Sequence, residues 1–291
     1  MKRKNQIHKK RFDAVDVVVV VLLTLWMLLV IVPFVNAISI SFATQKEYVD
    51  NPSQPTLQSY KVLLNDYRIW VGFRTSFLLV VVGVPVSMLL TTMLAYGTSR
   101  GNYPGKKIII GGILFTMLFN GGIIPLYLQM KEMGLTNTIW SVVLAGTVNV
   151  FYFVIMRNYF QSLPESLIES ARLDGAGEWR ILFDIILPLS KPIIATLTLF
   201  YLVDRWNEWY NALIFIRNTD LQPLQLVLRS IVMESSIVNN VTSAAAMEQM
   251  QNFNMGVKMA AVIVTILPVM CVYPFLQKHF AQGVMVGAVK A

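Results

Sequence analysis

Long apolar stretches separated by polar segments dominate the pattern of this 291-residue chain. A helix needs roughly 20 apolar residues to cross the hydrocarbon core of a bilayer. Stretches close to that length cover Val17–Val35, Phe77–Tyr96, Ile108–Met130, Ile139–Met156, Ile193–Ile216 and Met259–Leu276. Backbone groups in lipid must bond within their own segment, and continuous apolar runs lack the alternation of barrel strands. The pattern therefore predicts an all-α, polytopic membrane protein with about six transmembrane helices.

Composition agrees with this prediction, because 55% of the residues are hydrophobic and 14% are charged. Soluble domains carry roughly 25% charged residues. The net charge of +8 is typical of basic cytoplasmic loops, so no nucleic-acid partner is expected. The single cysteine, Cys271, cannot form an intrachain disulfide, and His8 and His279 lie near opposite ends of the chain. We expect no bound metal and no cofactor in this chain.

The basic N-terminus precedes an apolar run that is too long for the roughly 7 to 15 residues of a signal-peptide core. We interpret that run as an uncleaved first span. With the N-terminus inside, 15 of the 24 lysines and arginines fall in inside segments, so both termini are expected in the cytoplasm. The predicted parts are a cytoplasmic segment 1–16, a transmembrane domain 17–276 and a cytoplasmic tail 277–291. Within the domain, 157–191 is the long inside loop and 217–258 the long outside loop.

The inside loop has the pattern of two short helices joined by a turn. Ser162 and Glu165 have the spacing of a capping box, so a helix is predicted to begin there and to end near Gly175. A second helix is predicted from about Ala176 to Ile186, because Pro188 lacks an amide hydrogen and its ring disfavours a continuing helix. The pair would lie beneath the membrane.

This loop resembles the cytoplasmic signature of the binding-protein-dependent ABC importer permeases. That signature is Glu-Ala-Ala, three residues, Gly, nine residues, Ile, one residue and Leu-Pro. Every spacing is kept here, and one residue departs, a serine for the second position. The matching residues are Glu169, Ser170, Ala171, Gly175, Ile185, Leu187 and Pro188.

Weaker matches elsewhere resemble the carbohydrate branch of this family. They look like the maltose-type permeases, and most like the polysaccharide and oligosaccharide members. These matches are Ser39–Phe42, Gly121–Pro125, Met156–Asn158, Trp206–Asn207 and Pro223–Leu226. The tail 277–291 also resembles the family's glycine-containing tail, which reaches the ATPase dimer interface, although a frayed tail is the alternative.

The resemblance implies a type I ABC importer permease fold in a bacterial cytoplasmic membrane. It also implies a second homologous permease, two ATPase subunits that bind ATP and Mg, an external sugar-binding protein and a carbohydrate substrate. The inside loop would contain the coupling helix that docks on the ATPase; a surface helix without a partner is the alternative. The residues assigned to coupling are Glu169, Ser170, Ala171, Arg172, Asp174, Gly175, Ala176, Leu187 and Pro188.

The predicted fifth span carries charged and amide side chains within an apolar helix. A charge facing lipid costs at least about 2.5–3.5 kcal/mol, so these groups must face protein or water. Aromatic rings beside amides and carboxylates suit a sugar, which offers apolar faces and hydroxyl groups. The candidate substrate-pathway residues are Asp204, Trp206, Asn207, Glu208, Trp209 and Tyr210. The alternatives are an ion-pair cluster of Asp204, Arg205 and Glu208, pairing with a second permease, and a headgroup belt of aromatic residues.

The chain lacks the phosphate-binding G-x-x-x-x-G-K-[ST] motif, so energy is expected from a separate ATPase. We expect no enzymatic activity in this chain. The competing hypothesis is an ion-coupled secondary sugar transporter, which needs internal repeats and titratable relays inside the membrane. A membrane glycosyl transferase or hydrolase would need convergent carboxylates. The sequence has one charged intramembrane cluster and no evident repeat, which favours the importer permease.

Overall fold

The computed structural model describes residues 14–43, 55–101, 103–119, 121–237, 255–272 and 274. The protein is all-α, as predicted. The predicted tail 277–291 and most of the segment 1–16 lie outside the described residues, as do positions 238–254 of the predicted outside loop. The helices are α1 Ala14–Ser41, α2 Gln58–Asn65, α3 Tyr67–Ser99, α4 Lys106–Leu118, α5 Ile123–Glu132, α6 Ile139–Ala145, α7 Val150–Ser162, α8 Glu165–Leu173, α9 Glu178–Leu189, α10 Lys191–Trp206, α11 Tyr210–Phe215, α12 Leu224–Ile237 and α13 Met255–Val272.

The chain divides into two compact units. One comprises 1–62 with 239–263, and the other comprises 63–238 with 264–291. In the first unit, α1 is apolar around its whole circumference and none of its spanning window is buried within the chain. The hydroxyls of Ser41 and Tyr60 lie 2.8 Å apart, and the rings of Phe42 and Tyr60 lie 5.1 Å apart. These contacts hold the end of α1 against α2.

Three described helices, α1, α3 and α13, are each long and apolar enough to cross a membrane. Three pairs of helices meet the same criterion together but are bent, α4–α5 by 116°, α6–α7 by 55° and α9–α10 by 83°. The described residues therefore contain six spans by length and composition if each bent pair is one span. This described part of the chain thus has between three and six candidate spans, and the third bent pair, Glu178–Trp206, does not coincide with the predicted span Ile193–Ile216.

Two of these breaks have local causes. Gly122 precedes α5 with φ +90°, a backbone conformation that glycine adopts without steric strain and other residues rarely adopt. The break between α6 and α7 ends at Asn149, whose side-chain oxygen accepts hydrogen bonds from the amides of Phe151 and Tyr152 at 2.9 and 3.4 Å. This N-cap gives α7 a helix start inside the predicted fourth span.

The predicted fifth span, Ile193–Ile216, is also interrupted. Helix α10 ends at Trp206 and α11 begins at Tyr210. The Glu208 carboxylate accepts hydrogen bonds from the amide of Asn211 at 3.0 Å and from its side-chain Nδ2 at 2.9 Å. A carboxylate that satisfies free amides at a helix start stabilises a new helix there, which is why the apolar pattern does not continue as one helix.

Helix α3 lies at the centre of the second unit, where it packs against α7, α10 and α12. Its buried face is rich in glycine, serine and threonine. Small side chains let helices approach closely in a membrane, where packing and hydrogen bonds replace the hydrophobic effect as the cause of association. The hydroxyls of Thr91 and Tyr201 lie 2.7 Å apart and join α3 to α10.

Candidate functional site

Helix α8 has one buried side and one exposed side. Ile168 and Ala171 are buried with Ile181, Leu182 and Ile186 of α9. Ala171 was predicted to contact a partner, but it is only 9% exposed and packs inside the chain. Its small side chain brings α8 close to α9, so it supports the loop from within.

The predicted capping box is wrong. Ser162 belongs to the last turn of α7, where its hydroxyl donates to the carbonyl oxygen of Tyr159 at 2.7 Å. Helix α8 begins at Glu165 after Pro164, with no side-chain cap. A serine hydroxyl that bonds the preceding turn of its own helix is unavailable to the next helix.

The predicted helix end at Gly175 is confirmed. Gly175 has φ +81°. Its amide bonds to the carbonyl of Arg172 at 3.0 Å, and the amide of Ala176 bonds to the carbonyl of Ala171 at 2.9 Å. This hydrogen-bond pair with a left-handed glycine is a Schellman motif, which closes α8 and turns the chain into α9.

The second helix differs from its prediction. Helix α9 runs from Glu178 through Pro188 and ends at Leu189. A wide π-helical turn covers Ile181–Ile186, in which the amide of Leu187 bonds to the carbonyl of Leu182. The wider turn accommodates a proline that would otherwise clash with a preceding carbonyl. Pro188 is exposed and Leu187 is half-buried, so Leu187 packs inward.

The outer surface of α8, as we define it, comprises Glu169, Ser170, Leu173, Asp174 and Gly175, all exposed. Leu173 at its tip is 89% exposed. Leu173 is not among the predicted coupling residues, although it stands one position before the acidic and glycine residues of the turn. Leu173 therefore adds one apolar side chain to the exposed side of the loop.

The arginine of this loop is engaged within the chain. Arg172 Nη2 and Nε lie 2.8 and 3.1 Å from Glu178 Oε1, and Tyr96 of α3 donates to Glu178 Oε2 at 2.6 Å. The hydrogen bond from Tyr96, followed by the Arg172 contact, lowers the pKa of Glu178 despite the opposing effect of burial. Glu178 is therefore a carboxylate at neutral pH.

Arg205 of α10 is the buried charge of the predicted fifth span, and it is 2% exposed. Its guanidinium donates to the carbonyls of Val142, Val143 and Gly146 at 3.0, 3.0 and 2.7 Å, and to the hydroxyl of Ser87 at 3.1 Å. The three carbonyls lie at the C-terminal end of α6. A cation there satisfies unpaired carbonyls and the negative end of the helix dipole.

The ion-pair cluster that was an alternative for this span is not present among the described residues. Asp204 accepts a hydrogen bond from Tyr152 at 2.8 Å, Arg205 bonds to carbonyls and a hydroxyl, and Glu208 caps α11. Each charge has its own partner from another element or turn. Asn207 also accepts a hydrogen bond from Gln225 of α12 at 3.2 Å.

The two tryptophans of the predicted pathway differ in environment. Trp206 is 7% exposed, its indole nitrogen donates to the carbonyl of Thr265 at 3.0 Å, and its ring packs 6.1 Å from that of Phe73. Its ring is therefore unavailable for stacking on a substrate. Trp209 and Tyr210 are 40% and 52% exposed, with ring centroids 5.7 Å apart.

The exposed groups at the interruption between α10 and α11 form what we call the break surface. It comprises Asp204, Asn207, Trp209 and Tyr210. The Arg229 guanidinium of α12 lies 5.3 Å from the Trp209 ring centroid. A multi-pass membrane protein with broken helices and polar groups at the break is typical of transport proteins.

The family model for the binding-protein-dependent transport system inner membrane component matches residues 5–286. The chain belongs to this family. It is therefore a transport component and not an enzyme, and the family assignment decides against the ion-coupled secondary transporter and the glycosyl transferase or hydrolase.

Named relatives and a solved structure agree with the family. The chain is 37% identical to the polygalacturonan/rhamnogalacturonan transport system permease protein YtcP of Bacillus subtilis, over 94% of this chain and 98% of that protein. It is 30% identical to the diacetylchitobiose uptake system permease protein NgcG of Streptomyces coelicolor, over 91% of this chain and 86% of that protein. It superposes with a TM-score of 0.82 and 30% identity on a chain of a bacterial ABC transporter involved in the import of the acidic polysaccharide alginate, covering 93% of this chain and 99% of that one.

Proposed function

We propose that this chain is one permease subunit of an ABC importer for oligosaccharides or polysaccharide fragments. The carbohydrate substrate is supported by the relatives, whose names specify a polygalacturonan, a chitobiose derivative and alginate. The observation that carries the coupling role is the outer surface of α8, where Leu173 projects beside a Schellman turn closed by Gly175. This surface docks on a separate ATPase, which binds ATP and Mg.

In this proposal both termini and the α8–α9 loop lie in the cytoplasm of a bacterial cell, and the membrane is its cytoplasmic membrane. The 83° bend between α9 and α10 supports a loop helix that runs along the membrane surface. The outside loop 217–258, which contains α12, meets an external sugar-binding protein. Two ATPase subunits and a second homologous permease complete the complex.

The second permease is supported by the break surface. Asp204 and Asn207 are polar and exposed at the end of a membrane helix, and polar groups at that depth require protein or water beside them. We propose that the break surface lines a pathway formed between this chain and its partner permease, with Trp209 and Tyr210 in contact with sugar. Trp206 is assigned to packing.

We expect sugar uptake to require all parts of the complex. The chain, isolated in mild detergent, should bring two ATPase subunits and a second permease with it. Uptake into liposomes should then depend on ATP inside and on a sugar-loaded binding protein outside. Full uptake by this chain without the ATPase, or without the binding protein, would contradict the proposal.

The two tryptophans give a matched test of the pathway. Trp209→Ala should reduce sugar uptake with little change in the amount of assembled complex, because the ring is exposed. Trp206→Ala should lower assembly as well, because truncating a buried tryptophan costs about 3–5 kcal/mol. Complex yield and uptake per complex are measured for both variants. Equal loss of yield with both would assign Trp209 to packing instead.

A further inference from the structure

Helix α3 contacts the α8–α9 loop in two ways: Ala95 and Tyr96 pack in one apolar cluster with side chains of α8 and α9, and the Glu178 carboxylate forms the polar link. Glu178 uses its two oxygens for different partners: Oε1 accepts from Arg172 at the end of α8, and Oε2 accepts from Tyr96 near the end of α3. The Tyr96 oxygen lies 2.6 Å from Glu178 Oε2, the range of a charge-assisted hydrogen bond from a hydroxyl. Helix α3, through Tyr96, and the end of α8, through Arg172, thus bind different oxygens of the Glu178 carboxylate.

The environments of the three side chains differ. Tyr96 is 9% exposed, whereas the side chains of Arg172 and Glu178 are 47% and 56% exposed. An exposed ion pair alone contributes little and is screened by salt. Buried Tyr96 is therefore held firmly in α3, whereas the exposed Arg172–Glu178 pair moves with the α8–α9 loop.

Tyr96 also begins a line of contacts that leads along α3. One turn and a half earlier, Thr91 shares a hydrogen bond with Tyr201 of α10 at 2.7 Å. One turn further, Ser87 accepts from Arg205 at 3.1 Å. Arg205 directly follows Asp204 of the break surface. Ser87, Thr91 and Tyr96 all lie in the part of α3 that follows Pro85, a segment of about 14 Å between Ser87 and Tyr96, so a displacement at Tyr96 is transmitted to the contacts with α10.

We propose that Tyr96 is a positioning residue for coupling, which transmits displacement of the α8–α9 loop to α3 through Glu178. This inference rests on the proposed docking of α8 on an ATPase. A displacement of the Gly175 turn moves Glu178, which lies three residues further along the chain. Because α3 holds Glu178 through the Tyr96 hydroxyl, the movement reaches α3 and, through Tyr201 and Arg205, helix α10.

The hydroxyl can be removed with little change to packing. Tyr96→Phe keeps the ring, and Arg172 continues to neutralise Glu178. In the complete reconstituted transporter, we expect normal complex yield and basal ATP hydrolysis, with a small fall in melting temperature because one hydrogen bond is lost. The number of sugars taken up per ATP hydrolysed should fall about tenfold, the loss expected for one hydrogen bond to a charged group.

Tyr103→Phe is the matched control, because the Tyr103 hydroxyl makes no hydrogen bond within the described residues. The Tyr103→Phe variant should take up the wild-type number of sugars per ATP hydrolysed. Glu178→Gln should also lower the ratio, and the double variant with Tyr96→Phe should be no worse than Glu178→Gln alone. Such non-additivity is expected of two groups in one connection, whereas independent effects would multiply and would overturn the inference.

Gly175→Val separates this inference from the proposed function. If Gly175→Val binds and stimulates the ATPase normally, the docking role of α8 fails. If Gly175→Val uncouples ATP hydrolysis from sugar uptake while Tyr96→Phe keeps the wild-type number of sugars per ATP, the docking role of α8 is retained and the role of Tyr96 is overturned. Loss of complex yield with Tyr96→Phe would likewise overturn it, because the hydroxyl would then be required for assembly.

Discussion

Replacing Gly175 with valine should uncouple ATP hydrolysis from sugar uptake while membrane insertion stays normal. Gly175 has φ +81°, a conformation that a β-branched residue adopts only under strain of about 1–3 kcal/mol. A Cβ atom at this position would meet no atom of the chain within 4 Å, so the damage is confined to the backbone of the turn. The tip of α8 would shift, and the ATPase would bind weakly or remain unstimulated.

Gly177 provides a matched control two residues away. Its φ is −72° and ψ 163°, an extended conformation that valine favours, and a Cβ there also meets no atom within 4 Å. Gly177→Val should retain coupling, and Gly175→Asn should be intermediate, because asparagine tolerates positive φ. Insertion, ATPase co-purification and stimulated hydrolysis are measured together. Normal values of the last two for Gly175→Val would refute the coupling role of this turn.

Arg205→Gln should abolish most of the assembled protein. Its guanidinium makes four hydrogen bonds, and a bond to a charged group contributes about 1.5–3 kcal/mol. Glutamine has two donors and cannot reach all three carbonyls at the end of α6. Unpaired carbonyls in a membrane are costly, so α6 and α7 should lose their fixed geometry.

The measurements for Arg205 are complex yield and melting temperature in detergent. Arg217→Gln is the control, because Arg217 is exposed and bonds Tyr127 at 3.4 Å; it should be close to wild type. Arg205→Lys should be intermediate, because an ammonium keeps the charge but not the planar array of donors. A stable Arg205→Gln protein with unchanged melting temperature would show that other groups satisfy the carbonyls.

Features that depend on neighbours in sequence were predicted well. The six apolar stretches, the helix–turn–helix loop and the left-handed Gly175 follow from length, periodicity and local backbone sterics. Two predictions that rest on local rules were wrong. Ser162 bonds the carbonyl of Tyr159 instead of capping α8, and a π-helical turn lets α9 continue through Pro188.

Features that depend on residues far apart in sequence could not be predicted. Trp206 and Trp209 are three positions apart in the same aromatic segment, yet one is buried and one is exposed. Because α10 ends at Trp206 and α11 begins at Tyr210, Trp209 does not continue the helix of Trp206, and the two rings lie in different environments. Likewise, the partners of Arg205 are carbonyls of α6, and a helix end that lies 59 to 63 residues away gives no local sequence signal.

The buried face of α3 has a consequence for synthesis of the protein. Its hydroxyls bond to partners much later in the chain: Thr91 to Tyr201 after 110 residues, Ser87 to Arg205 after 118, and Ser76 to Leu224 after 148. A ribosome adds about 5–20 residues per second, so these partners emerge roughly 5 to 30 seconds after α3. Until then serine and threonine hydroxyls can bond carbonyls of their own helix. Helix α3 is therefore inserted early and completed late, and a pause in translation before α10 or α12 prolongs the time it lacks its native neighbours.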